Sequence, residues 1–464
     1  MNYFLNIIDK SNTILWSYVL IIMLIVLGLY FSFKLKFVQF RYIKDMFKLL
    51  GKSATNKHEG ISSFQAFCIS TASRVGTGNL AGVAIAISIG GPGAVFWMWF
   101  IALIGGASSF VESTLAQIFK IPDKDSFRGG PAYYMEKGLG KRWMGILFSI
   151  LITISFGLIF NSVQSNTISL AFHEAFGVKT YISGIAITIL TAFVIFGGVQ
   201  RIAKVTEIIV PIMASAYVII ALFVVFKNIT SIPSILKLIF ENAFGINQAI
   251  GGSVGSALML GIKRGLFSNE AGMGSAPNAA ATASVEHPIH QGLIQTLGVF
   301  TDTILICSAT SFIILTSNVY TNTKLTGIQL TQNALSSQVG NWGNIFIAIC
   351  IFLFAYSSIL GNYYYGESNI EFINTNKVWL TIYRLFVIVM VMLGSLVEIK
   401  LVWDLADLFM GLMAILNLVA IALLFKICLE TLSQYEGQKK RNAEIKFIPS
   451  EIKSLKNKKL DLWK

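Results

Sequence analysis

Charge is what this sequence has least of. Asp, Glu, Lys and Arg make up only 13% of its 464 residues, against about 25% in soluble globular chains. A soluble domain is excluded on that ground. Signals for several other classes are also missing. No series of ~10-residue alternating segments marks a transmembrane barrel. No G-x-x-x-x-G-K-[ST] phosphate loop occurs, which argues against drive by ATP hydrolysis within this chain. The four cysteines, Cys68, Cys307, Cys350 and Cys428, all lie in apolar stretches. They read as small core residues and exclude a disulfide frame. His58, His173, His287 and His290 show no metal-ligand spacing such as H-E-x-x-H and read as surface or loop residues. The first apolar run, Ile14 to Phe33, has no small-residue cleavage site and reads as a retained span.

Hydrophobic residues make up 55% of the chain, and the mean hydropathy is +0.69. A helix needs about 20 apolar residues to cross a bilayer. Eleven runs meet that need, at roughly 14–33, 62–90, 93–119, 143–165, 180–197, 205–226, 248–274, 291–317, 344–366, 378–396 and 401–425. The fold class expected is an all-α polytopic membrane protein with about 11 transmembrane helices. The net charge of +13 does not point to nucleic acid, because the basic residues sit in loops and in the tail. With the N-terminus outside, 26 of the 36 Lys and Arg fall in inside segments and six outside, the other four lying within spans. The positive-inside rule then puts the C-terminus in the cytoplasm. The segment Val38–Leu50 alternates Phe40, Ile43, Phe47 and Leu50 with Arg41, Lys44 and Lys48, as a helix lying on the membrane surface does.

Two of the spans are interrupted. The second carries Ser70-Thr71-Ala72-Ser73-Arg74-Val75-Gly76-Thr77-Gly78-Asn79. The seventh carries Gly251-Gly252 and Gly255, then Gly261-Ile262-Lys263-Arg264-Gly265-Leu266-Phe267-Ser268-Asn269-Glu270-Ala271-Gly272. Polar backbone at membrane depth survives only where protein or a watery cavity satisfies it. After the first span, the rest divides into two sets of five, each opening with an interrupted span. Five is odd, so the second set enters from the opposite side, which makes a 5+5 inverted repeat. The organisation expected is a leading helix and amphipathic segment at 1–61, repeats at 62–247 and 248–425, and a basic cytoplasmic tail at 426–464. Interrupted spans at matching positions point to a midplane binding site.

Gly76-Thr77-Gly78-Asn79-Leu80-Ala81 fits the G-x-G-x-x-A fingerprint, but it lacks the βαβ context a dinucleotide site requires. Close helix packing through small residues is one reading. The other is an unwound binding segment. A broken helix frees N–H groups that can hold a carboxylate, and carbonyls that can coordinate a cation. Ser357 and Ser358 in the ninth span either bond back to their own helix or complete an oxygen cage for sodium. Asn161, Gln164 and Asn166 form either a solvated helix end or a polar cluster. Acids inside spans are functional candidates by default. Of these, Asp302 is the deepest, and with Asn79 it makes a candidate second polar site. Thr301 and Thr303 beside it are equally consistent with a plain polar network. Glu112 and Glu367 read equally well as salt-bridge partners, and Lys263, Arg264 and Glu270 as a gate or structural network.

Three blocks are specific: Ser73-Arg74-Val75-Gly76-Thr77-Gly78-Asn79, Gly90-Gly91-Pro92-Gly93-Ala94-Val95-Phe96-Trp97-Met98-Trp99, and Lys263 through Pro277. They resemble the alanine or glycine:cation symporter family, and the span pattern agrees from end to end. The resemblance implies a leucine-transporter-type fold with one extra leading helix. It implies inward symport of alanine, glycine or a similar amino acid, usually with sodium, across a bacterial or archaeal plasma membrane, with no cofactor. By position, Gly76, Thr77 and Gly78 resemble the stretch that holds the substrate carboxylate, and Gln164 a polar substrate contact. Ser256, Met259 and Leu260 resemble the side-chain wall of the pocket. The Ala72 and Val75 carbonyls with the Ser357 and Ser358 hydroxyls resemble a sodium site. Arg74, a charge inside the break, departs from the leucine-transporter pattern. An ion or solute channel is the rival from another class, since deep polar breaks also build selectivity filters.

Overall fold

Helix follows helix for nearly the whole chain, because in lipid only a helix satisfies every backbone group from within its own segment. The computed structural model describes residues 2–55, 61–123, 126–245, 254–321 and 324–463. Gly251, Gly252 and His58 lie outside the described residues. The principal helices are α1 (Asn6–Lys34), α2 (Ile43–Thr55), α3 (Ser63–Arg74), α4 (Gly78–Gly90), α5 (Gly93–Ile118), α6 (Arg142–Phe176), α7 (Thr180–Ile195) and α8 (Gly198–Lys227). They continue as α9 (Ile232–Ala243), α10 (Val254–Asn269), α11 (Ala276–Thr282), α12 (Pro288–Ser317), α13 (Gly327–Val339), α14 (Trp342–Ile373), α15 (Lys377–Gly394) and α16 (Ile399–Lys440). Eight of these, α1, α5, α6, α8, α12, α14, α15 and α16, are long and apolar enough to cross a membrane. A short hairpin, β1 (Ile121–Asp123) with antiparallel β2 (Ser126–Arg128), caps the end of α5.

The most polar spans sit at the centre. Every residue from 66 to 84, and from 264 to 283, is buried. The lipid side is supplied by helices such as α7, α8 and α15, which expose Phe193, Ile208, Ile219, Phe223, Leu385 and Phe386. The four cysteines are buried and free, as small core residues. His287 is also buried, and its ring caps the first turn of α12 by accepting from Ile289 N at 3.3 Å. Of the two readings its sequence context allowed, surface or loop, the loop one holds. α6 runs eleven residues beyond the span expected from hydropathy, and Asn161, Gln164 and Asn166 all lie inside it, buried. Hydropathy ended the span at 165 because the turn beyond carries Asn166, Thr167 and Ser169, polar residues buried against protein.

Loops and ends sort onto two faces. On one, Lys439 pairs with Asp45 at 2.8 Å, Lys137 with Asp461, and Phe447 N donates to Glu286 O at 3.1 Å. This tail face therefore gathers α2, the 120–142 segment, the loop before α12 and the C-terminal tail. On the other face Lys227 reaches Gln338 O, Gln329 Nε2 donates to Glu174 at 3.3 Å, and Asn344 Nδ2 to Glu174 O at 3.4 Å.

Candidate functional site

α3 starts on a capping box, in which Ser62 Oγ accepts from Gln65 N and Gln65 Oε1 accepts from Ser62 N, a reciprocal arrangement that fixes helix entry. Its last helical bond is Val75 N to Thr71 O at 2.8 Å. The next two donors leave the helix: Gly76 N bonds Asn79 Oδ1 at 2.9 Å, and Thr77 N bonds Gln164 Oε1 at 3.1 Å. The final carbonyls of α3 are therefore left without their i+4 partners, and α4 begins immediately beyond. A methyl on Gly76 would collide with Ser358 Oγ and stand 2.9 Å from Gln164 Oε1, so only glycine fits there. The Thr77 hydroxyl is buried without a partner among the described residues.

Ser358 Oγ lies 2.8 Å from Ala72 O, 3.4 Å from Val75 O and 3.0 Å from Phe354 O. A hydroxyl has one proton to give, so this cluster holds more acceptors than donors. That is the composition a hard cation neutralises. Ser357 differs: its hydroxyl bonds back to Phe354 O at 2.9 Å and meets Met213 Sδ at 3.7 Å. Of the pair, only Ser358 has hydrogen bonds to the break.

Asn79 joins the break to Asp302. Its Nδ2 donates to Asp302 Oδ1 at 2.7 Å while its Oδ1 holds Gly76 N. Ser268 and Thr303 each donate to Asp302 Oδ2 at 2.8 Å. Thr301 bonds back to Leu297 O and stays out of this network. The carboxylate is fully buried and is held by neutral donors alone.

The other charges find several kinds of partner. Lys263 and Arg264 both pair with Asp407 of α16, at 2.6 and 2.5 Å, and not with Glu270. Glu270 accepts from Ser73 Oγ at 2.7 Å and Ser275 Oγ at 2.6 Å. Arg74 donates to Gln295 O at 3.1 Å. Glu367 does pair, with Arg384 at 3.1 Å. Glu112 does not: it accepts from Gly272 N and Gly274 N at 3.1 Å each and from Asn417 Nδ2 at 2.8 Å. It thereby clamps the second break, between α10 and α11, where Glu270, Gly272 and Gly274 all take positive φ.

Ser256, Met259 and Leu260 are not brought to the first break. Met259 Sδ receives the Ser17 hydroxyl of α1 at 3.8 Å, and Leu260 lies against Gly90. Ser256 is half-buried one turn earlier. From α10, Phe267 and Ser268 meet the break: a methyl on Gly78 would stand 3.1 Å from Phe267 Cδ1 and 3.2 Å from Ser268 Cβ. Phe267 packs against Phe160 and Trp403 with the rings tilted, centroids 4.6 Å apart in each case. Phe267 lies in the third specific sequence block, but nothing in the sequence alone gives its height along α10.

A buried helix break, with two amides turned out of the helix and surplus carbonyls beside them, is the arrangement that holds substrate and ion in multi-pass transporters. The model of the sodium:alanine symporter family matches residues 1–449, and the chain belongs to that family. It is 56% identical to the probable sodium/glutamine symporter GlnT of Bacillus subtilis (strain 168), over 97% of this chain and 94% of that protein. It is 55% identical to the amino-acid carrier protein AlsT of the same organism, over 98% and 97%. Among solved structures it is similar to a Na+-coupled sialic acid symporter in its substrate-bound outward-open state. That likeness has a TM-score of 0.53 and 16% identity, covering 90% of this chain and 94% of the other. The fold is accordingly that of the leucine-transporter type.

Proposed function

We propose that this protein imports a small neutral amino acid, alanine or glycine, together with sodium by alternating access, with its tail face in the cytoplasm. The observation that carries the reading is the first break. Two backbone N–H groups, of Gly76 and Thr77, are held by side-chain amide oxygens, and these oxygens sit where a substrate carboxylate would sit. Beside them Ser358 Oγ, Ala72 O and Val75 O form an acceptor-rich cluster suited to sodium. Asn79 and Asp302 give a second polar site one residue beyond the glycines. Gln164, on Thr77 N, is the proposed polar contact to the substrate. Phe267 takes the place of Ser256, Met259 and Leu260 as the proposed wall of the pocket.

A second substrate, glutamine, is favoured by the name of one relative, a probable sodium/glutamine symporter 56% identical to this chain. One experiment separates the readings. Purified protein in liposomes is given labelled alanine, glycine or glutamine under a sodium, potassium or proton gradient. Sodium-driven alanine uptake with weak glutamine competition supports the first reading. Glutamine uptake exceeding alanine uptake supports the second, and uptake driven equally by a proton gradient overturns sodium coupling.

A further inference from the structure

The polar tail beyond α16 folds back across the tail face. Gln434 Nε2 of α16 holds Ile448 O at 2.9 Å and Glu451 at 2.8 Å, and Ser454 N bonds Glu430 at 2.8 Å. Further on, Asp461 pairs with Lys137, and Lys458 bonds Gly138 O. Phe447, Ile452 and Leu455 are buried by this return. The tail is thus fastened to α16 at one end and to the 137–138 segment at the other.

At either end of these anchors, Phe447 and Trp463 meet the groups that hold the ends of the two interrupted spans. Ile61, at the entry to α3, forms a parallel bridge with Ala283 just past α11, and Ser284 N donates to Ile61 O at 3.0 Å. The two half-helices are therefore tied together where they reach the tail face. Ala283 O is held in turn by Lys120 Nζ at 2.7 Å and Gln117 Nε2 at 3.1 Å. Lys120 is buried, its ammonium 3.9 Å from the Phe127 ring centre and 5.4 Å from that of Trp463. Trp463 closes over this group, with Nε1 donating to Gln117 O at 2.9 Å and its ring edge-on to Phe447 at 5.2 Å. Phe447 N bonds Glu286 O in the loop that carries Ala283 onward to α12.

A site that opens alternately to two faces needs its half-helices to move against a scaffold. The tail-face ends of α3 and α11 meet at this junction. We propose that Trp463 and Lys120 are positioning residues of the transport cycle: with the returning tail they latch the joined ends of α3 and α11 shut, and the latch releases when the site opens toward the cytoplasm. The proposal rests on the transport reading above and deepens it.

The test needs no substrate, so its failure is distinct from a failure of the substrate assignment. Cys68 lies on α3, 1% exposed and packed on Ile294, whereas Cys428 lies on α16, 0% exposed. Alkylation of each by N-ethylmaleimide is followed by mass spectrometry of the full-length protein in liposomes. Trp463→Ala and Lys120→Met should speed labelling of Cys68 about thirtyfold, the shift expected from losing one desolvated cation–π contact. Cys428 should label at the wild-type rate, and Trp463→Phe, which keeps a ring beside Lys120 but loses the bond to Gln117 O, should speed Cys68 labelling less than Trp463→Ala does. Unchanged Cys68 labelling in both disruptive variants would overturn the latch. A parallel rise at Cys68 and Cys428 would also overturn it, because that is general loosening and not local opening.

Discussion

Ser358 and Ser357 are neighbours with unequal work. Ser358 Oγ stands among three carbonyls, two of them freed by the break, while Ser357 bonds its own helix and a methionine sulfur. Removing one oxygen from a cage weakens the ion it holds without disturbing the amides opposite. Ser358→Ala should therefore raise the sodium concentration needed for half-maximal uptake by about tenfold or more, which corresponds to ~1.4 kcal/mol. Ser357→Ala should leave it close to wild type. Equal effects in sodium titrations of the two variants would reject the assignment. Size selection is a second residue-scale question. Leu260 and Phe267 are seven residues apart, two turns, so they share a stripe of α10 but differ in height by about 10 Å. The stripe was legible in the sequence. The height was not, because it depends on how α10 sits against α4, where Phe267 rather than Leu260 meets Gly78. Phe267→Ala should admit larger side chains, measured by competition of leucine and glutamine against labelled alanine. Met259→Ala, beside Ser17 of α1, should leave the ranking of competitors unchanged.

At the scale of elements, both breaks depend on backbone that no other residue type supplies. At Gly76 the reason is space: a methyl would enter the place of Ser358 Oγ and crowd Gln164. Gly76→Ala should abolish uptake while the protein still reaches the membrane and elutes as a single species in size-exclusion chromatography. At the second break the reason is conformation, since Gly272 and Gly274 have φ of 86° and 84°, a region glycine enters without steric cost. Glu112 fixes that turn through two backbone donors and Asn417. Stranding a buried donor costs about 1–3 kcal/mol. Glu112→Ala should accordingly lower the thermal midpoint measured in detergent by several degrees. Glu112→Gln, which keeps an acceptor oxygen, should lower it less. The existence of both breaks was readable from glycines and polar groups at membrane depth. The clamp was not, because Glu112 and the turn are 160 residues apart in sequence and no local pattern joins them. The same separation hid Asp407 as the partner of Lys263 and Arg264.

Across the whole molecule, charge and packing sort the chain in the same way. Two of the segments that carry the Lys and Arg excess, at 34–55 and 126–142, both meet the tail on a single face. The segments assigned to the outside, around Lys179 and Lys227, lie with α13 on the opposite face, where Lys227 and Asn228 hold Gln338. These groupings come from independent sources, since the charge count used no contacts and the contacts carry no information about the membrane potential. The large-scale organisation was legible because a bilayer imposes it on composition, whereas the fit of one helix against another is set by side chains distant in sequence. Which face is cytoplasmic is the remaining step, and the basic excess on the tail face predicts it. Single cysteines at Lys52, Lys456 and Lys179, all exposed positions, test that prediction with an impermeant thiol reagent on intact cells. Lys179→Cys should label, while Lys52→Cys and Lys456→Cys should label only after the membrane is permeabilised. Labelling at Lys456→Cys in intact cells would invert the topology. The tail latch would then guard the outer gate, while the direction of uptake, set by the sodium gradient, would stay inward.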